Sequence, residues 1–179
     1  MRPIRGYNEA QAAGEFERLP VGGYVIRITD VKDEAAKSYL TITYDIAEGQ
    51  YKDFYKSTDA DHVKSHQFIR SYKETALGML KGFIMAIDDT NGTKFGEGVE
   101  VRGLDERLLI GKLLGVVIGE EEYENNQGEV KTVLKVRSCL DAEKIRKGQY
   151  KMPELKKLKE QPKAPAGFTQ FNDDDIPFA

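Results

Sequence analysis

At 179 residues, 40% hydrophobic and 32% charged, the chain has the length and charge content of one globular domain with appendages. A formal charge of −3 excludes a uniformly basic nucleic-acid binder, and a single cysteine, Cys139, excludes an intramolecular disulfide and fits a reducing interior. Met1 to Gly6 lacks the apolar core of a signal peptide. The most apolar run, Leu108 to Ile118, is broken by Lys112 and too short for a bilayer, so a cytoplasmic protein with no membrane partner is expected.

Residues 1–18 read as an arm in which Asn8 and Gln11 resemble a helix-start capping pair, and Leu19-Pro20-Val21-Gly22-Gly23 then breaks the chain. Tyr24 to Val31 alternates as a strand, with Tyr24, Ile26 and Ile28 on one face. Ser38 to Ala47 alternates most cleanly, setting Leu40, Ile42, Tyr44 and Ile46 against Tyr39, Thr41, Thr43 and Asp45. After the turn Glu48-Gly49-Gln50, Tyr51 to Thr58 reads as a third strand. The period changes between Ser65 and Ile87, where Ile69, Tyr72, Ala76, Leu80, Phe83 and Ile87 recur at spacings of three and four and predict an amphipathic helix. Asp88 to Gly98 reads as a loop. Strand character returns from Leu113 to Glu122, Asn125-Asn126-Gln127-Gly128 signals a hairpin, and Val130 to Arg137 alternates again, with Val130, Thr132, Leu134 and Val136 on one face.

Charge is unevenly spread over the C-terminal part. From Lys135 to Lys159 there are nine Lys or Arg against three Asp or Glu, a balance of +6; from Gln161 to Ala179 one Lys faces three Asp, a balance of −2. Asp141 to Leu158 is expected to be partly helical, and the proline-broken stretch 161–167 to be a linker. Beyond it, Asp173-Asp174-Asp175-Ile176-Pro177-Phe178 cannot fold alone. Two large apolar side chains beside a carboxylate run suit a small apolar pocket rimmed by Lys or Arg.

That hexapeptide resembles the C-terminal tip of bacterial single-stranded-DNA-binding proteins, with the difference that Ala179 follows the Phe on which the family's tip ends. Leu19-Pro20-Val21-Gly22-Gly23-Tyr24 and Ile46-Ala47-Glu48-Gly49-Gln50-Tyr51-Lys52 are similar to phage-encoded members of that class. The resemblance implies single-stranded DNA as partner and recruitment of replication, recombination and repair proteins through Asp173 to Phe178, in the cytoplasm of a bacterial host. The element order, three strands, a helix and a two-stranded hairpin, independently predicts a mainly β fold: a five-stranded oligonucleotide-binding barrel with the helix between strands 3 and 4. A mixed α+β sheet of the same order has the same periodicities. The expected units are an arm at 1–18, the barrel at 19–140, a basic, partly helical extension at 141–160, and a linker and acidic tail at 161–179. Homo-oligomerisation is left open.

Single-strand binding needs cations along the backbone track and aromatic faces for bases. Arg27, Tyr39, Tyr51, Lys52, Lys56, Tyr123, Lys131, Lys135 and Arg137 supply both on predicted solvent faces and turns, where ordinary solvated strand faces and packed tyrosines are the competing account. His62 and His66 lie one helical turn apart near Asp59 and Asp61, but neither a third ligand nor a His-Glu-x-x-His pattern accompanies them, so no metal is expected. Gly111-Lys112 lacks the spacing of a phosphate loop, and Glu120-Glu121-Glu122 reads as a solvated strand end. No catalytic constellation and no cofactor is expected. A protein-interaction adaptor is the rival class, and a metal-dependent nuclease around His62 and His66 a distant third.

Overall fold

The computed structural model describes residues 18–56 and 66–158. Five strands, β1 (Gly22–Glu34), β2 (Tyr39–Ile46), β3 (Gln67–Ser71), β4 (Leu113–Glu124) and β5 (Val130–Leu140), form one antiparallel sheet in the order β3-β2-β1-β4-β5. Helix α1 (Leu77–Asn91) lies between β3 and β4, followed by a single turn, α2 (Val99–Arg102), while α3 (Ala142–Arg146) follows β5. No described helix is long and apolar enough to cross a membrane.

The sheet is mainly β with a helix after its third strand, as expected, but it does not close into a barrel: β3 and β5 are its two edges. Side chains span the gap instead. Arg70 on β3 donates from Nη2 to Cys139 Sγ on β5 at 2.8 Å and from Nη1 to the Ile69 carbonyl, with its guanidinium 4.6 Å from the Phe68 ring centre and 5.8 Å from that of Phe83.

The third strand also differs from expectation. Residues 51–56 form turns rather than a strand, and β3 is drawn from the stretch whose spacing predicted the beginning of the helix. Within β3, Phe68 and Arg70 point inward with period two, and Ile69 is exposed. The helical spacing of Ile69 and Tyr72 is a coincidence of a strand too short to declare its own period. The helix accordingly starts at Leu77 and runs on to Asn91, where Gly92 at φ 64° ends it. Asn91 ties that end to β4, giving Nδ2 to the Leu113 carbonyl at 2.9 Å and accepting at Oδ1 from the Leu113 N–H at 3.0 Å.

The main core lies between the curved sheet and α1. The alternate residues Leu40, Ile42, Tyr44 and Ile46 of β2 are buried with Ile26 and Ile28, Leu114, Val116 and Ile118, and Phe83 and Ile87 of the helix. A bulge at Arg137 breaks the register between β4 and β5, which lets both Val136 and Cys139 reach this core. Beyond Ile118, β4 outruns β1, so the hairpin projects past the sheet and Val130 and Thr132 are exposed there rather than packed.

A second, smaller cluster occupies the opposite face. Val25, Val117 and Ala47 meet Ala142 and Ile145 of α3. Close approach of α3 needs bare backbone beneath it: a Cβ on Gly115 would stand 2.7 Å from Ile145 Cγ1 and 2.8 Å from the Leu140 carbonyl. The expected basic extension thus packs on the sheet through α3 and Tyr150, and from 151 to 158 runs largely exposed. Lys156 bridges in parallel to Glu121, with Lys156 N–H donating to the Glu120 carbonyl and Glu122 N–H to the Lys156 carbonyl.

Candidate nucleic-acid interface

Three of the predicted cations share a concavity of about 360 Å³ at the end of β2. Arg27 on β1 stands opposite Asp45 on β2, just where α3 stops covering that face. Asp45 works on its own neighbourhood, where its Oδ1 accepts from the Ile46 N–H at 2.7 Å and the Tyr55 N–H at 2.9 Å. This pins back a double turn in which Asp53 N–H bonds the Ile46 carbonyl and Lys56 N–H the Asp53 carbonyl. Asp53 itself sits at φ 59°, a left-handed conformation that Asp tolerates better than most residues. The turns carry Lys52 and Lys56 to the rim of the same concavity.

Its wall is aromatic. The Tyr55 ring stacks on His66 with centres 4.7 Å apart, and Tyr44 meets both edge-on. Burial, followed by the neighbouring Tyr55, drives the Tyr44 phenol well above its usual range, and burial likewise raises Tyr55. Both phenols therefore stay protonated, and the two hydroxyls are hydrogen-bonded to each other. Arg27, Lys52 and Lys56 are exposed and form no ion pair among the described residues. Cations without an ion-pair partner among the described residues can receive an anion there, beside the Asp45 and Asp53 carboxylates that also line the hollow.

Tyr51 and Tyr39 are placed differently. Tyr51 packs half-buried against Tyr24 and Phe54, with ring centres 6.2 and 6.0 Å away. Tyr24 in turn donates to the Pro20 carbonyl at 2.6 Å, and burial pushes its phenol up to about 12. Tyr39 is at the far end of β2 opposite Glu34 and Ser71, about 20 Å from Asp45 at roughly 3.3 Å per residue. It belongs to the outer face of β2 and β3, with Thr41 and the exposed Ile69, and not to the concavity.

The remaining four residues lie on the β4–β5 hairpin. Tyr123 is exposed and pairs with Lys131 across the strands. The Asn125 side chain organises the turn, accepting at Oδ1 from the Gln127 and Glu129 N–H groups. The hairpin cations are already engaged: Lys131 with Glu129 at 3.0 Å, and Lys135 and Arg137 with Glu121 at 3.6 and 3.3 Å. Lys156 joins Glu121 at 3.1 Å, and Arg18 reaches Glu120 at 3.0 Å. The acidic run is thus not a merely solvated strand end. Its middle carboxyl is held below the usual glutamate range, first by the Lys156 hydrogen bond and then by the charges of Lys135, Lys156 and Arg137.

Asp45, Tyr55 and Arg70 carry no direct signal of their roles in the sequence, because those roles depend on partners 10 to 69 positions away. The nearest signal was the Asp at the end of a clean strand just before a Gly-containing turn. His66 belongs to the aromatic wall, while His62 and the tail from Asp173 to Phe178 lie outside the described residues. Among the described residues no group of three His, Cys, Asp or Glu is arranged to hold a metal ion. Compared with protein-family models and with curated proteins, the chain matches none.

Proposed function

We propose that this chain binds single-stranded DNA without reading its sequence, in phage or bacterial replication, recombination or repair, and that its acidic tail recruits partner proteins. The observation that carries the reading is the convergence of Arg27, Lys52 and Lys56, which form no ion pair among the described residues, on one concavity lined also by Asp45, Asp53, His66 and the largely buried Tyr44 and Tyr55. Cations tracking a backbone beside aromatic side chains are what sequence-tolerant single-strand binding requires. The strand order supports an oligonucleotide-binding barrel opened between its third and fifth strands, a fold that takes ligands on the face of strands 2 and 3 and on the loops joining strands 1–2 and 4–5. On this reading the Arg70–Cys139 contact stands where the closing ladder would run. The recruiting role of Asp173 to Phe178 rests on the resemblance of that hexapeptide alone. No catalytic residue or cofactor enters the reading.

A labelled single strand and a duplex of the same length, titrated at about 50 and about 200 mM salt, test it. The single strand is expected to bind tighter, with log K falling against log salt by about 0.7 for each phosphate contacted. Equal or tighter duplex binding rejects the reading. One observation favours a second reading, an adaptor that grips protein: each hairpin cation already contacts a carboxylate of the hairpin, with Lys135 and Arg137 sharing one, so none is left free for a phosphate. The adaptor predicts no single-strand binding at either salt concentration.

A further inference from the structure

We propose that Lys135, Arg137 and Lys156 form a phosphate-binding site that the free protein fills with its own Glu121 carboxylate. That the natural occupant is a phosphodiester of a nucleic-acid strand rests on the reading above; the site itself does not.

The three cations reach one carboxyl group from three places. Glu121 pairs with Val133 across the β4–β5 ladder, so Lys135 is its diagonal neighbour and spans to Oε1 at 3.6 Å. Arg137 is the bulge residue of β5. Its Nη2 is fixed on the Glu120 carbonyl at 2.7 Å, which leaves Nη1 to meet Glu121 Oε2 at 3.3 Å. Lys156 is held by backbone bonds to Glu120 and Glu122, and its Nζ lies 3.1 Å from Oε1. The neighbouring acids are occupied elsewhere: Glu120 pairs with Arg18, and Glu122 accepts from the Leu158 N–H.

One carboxylate facing three cations leaves a surplus of two positive charges. Like charges gathered at such distances repel, and a group with two anionic oxygens on one centre relieves that repulsion. A carboxylate and a phosphodiester both present such a pair of oxygens. Glu121 and Arg137 are each one-fifth exposed at the floor, while Lys135 and Lys156 are half-exposed above them. An arriving phosphate therefore meets the lysines first and can take the inner position as Glu121 turns out to solvent. The strand must compete with this internal anion, so Glu121 sets how weakly the hairpin holds nucleic acid and how readily it lets go.

Glu121→Gln keeps the shape and removes the competitor, and Glu100→Gln on α2 controls for net charge. Inorganic phosphate at matched ionic strength is expected to raise the melting temperature of Glu121→Gln, but not of the unmodified chain or the control. Adding Lys135→Met to Glu121→Gln is expected to cancel that response. Single-strand binding by Glu121→Gln is expected to tighten several-fold at low salt, with the slope of log K against log salt steepening by about 0.7 for each phosphate newly contacted. If Glu121→Gln does not fold, Glu121→Asp, which draws the charge back by one methylene, is expected to respond in smaller measure. A phosphate response no larger than the control's overturns the proposal. A response confined to Glu121→Gln in a protein that binds no single strand upholds the site and rejects the nucleic-acid reading.

Discussion

Arg70 brings a guanidinium into the core at 6% exposure, where among the described residues it forms no ion pair. Its charge is met by the Ile69 carbonyl, the Cys139 sulfur and the faces of Phe68 and Phe83. Burial raises the Cys139 thiol above its usual range and outweighs the nearby guanidinium, so the sulfur is a protonated acceptor and not a thiolate. Arg70→Ala is expected to cost about 1.5–3 kcal/mol in urea denaturation, the range for buried bonds to charged groups. Arg70→Met, which keeps the apolar stem, is expected to cost less. The cations of the candidate interface divide by the same accounting of partners. Replacing Arg27, Lys52 and Lys56 together with Ala is expected to weaken single-strand binding and flatten its salt slope by up to about 2, at about 0.7 per lost contact. The triple replacement of Lys131, Lys135 and Arg137 is expected to cost less affinity, because those side chains are already paired. An equal or larger loss in the hairpin triple would place the main track on the hairpin.

The double turn after β2 and helix α3 each hang on few bonds, which makes them the elements most open to test. Asp45→Ala removes the acceptor of two backbone N–H groups and is expected to cost about 1–3 kcal/mol in chemical denaturation. The same change is expected to weaken strand binding, since it loosens the carrier of Lys52 and Lys56. Gly115→Ala overpacks the seat of α3 and is expected to cost about 1–3 kcal/mol. Arg146 fastens α3 to the loop after β2 through Glu48, and its bond, followed by its charge, holds the Glu48 carboxyl below the usual range. A carboxyl with a lowered pKa in the folded state stabilises it above the unfolded pKa and stops doing so as pH falls through the lowered value. The melting-temperature gap between the unmodified chain and Arg146→Ala is therefore expected at neutral pH and to close below the glutamate range. The pair is exposed, so the gap corresponds to about 1 kcal/mol or less. Strand β2 was legible in the sequence because four strict alternations leave one interpretation, and the hairpin because Asn125 to Gly128 has few other uses. β3 was not, since five residues carry too little period against the accidental spacing of Ile69 and Tyr72. Neither was the seat of α3, where burial rests on Ala142 and Ile145 alone. Arg27, Lys52 and Lys56 were legible as exposed cations, but their meeting depends on Asp45 folding the turn back. The engagement of Glu121 depends on residues 14 to 35 positions further on, which no local window contains.

Across the whole molecule, opposite charges are set apart along one chain: basic from Lys135 to Lys159, acidic from Asp173 to Asp175. On the proposed function, deleting Phe171 to Ala179 is expected to tighten single-strand binding at low ionic strength, an effect that fades as salt rises. The same deletion is expected to abolish capture of a replication or repair protein. Phe178→Ala is expected to impair capture alone, because it removes an apolar anchor and no charge; weaker DNA binding after the deletion would make the tail part of the nucleic-acid site. The bridge at Lys156 has a consequence of another kind. Past Ile118 the β1-side margin of β4 has no strand beside it among the described residues, and the segment through Lys156 lies along it and takes up the Glu120 carbonyl and the Glu122 N–H. Uncovered, that margin is a row of donors and acceptors ready to be extended by a neighbour's backbone. A chain cut after Tyr150 is therefore expected to sediment as larger, concentration-dependent species, whereas one cut after Leu158 keeps the size distribution of the full chain. That outcome would make the eight residues between those cuts a hem that keeps each molecule from being stitched to the next.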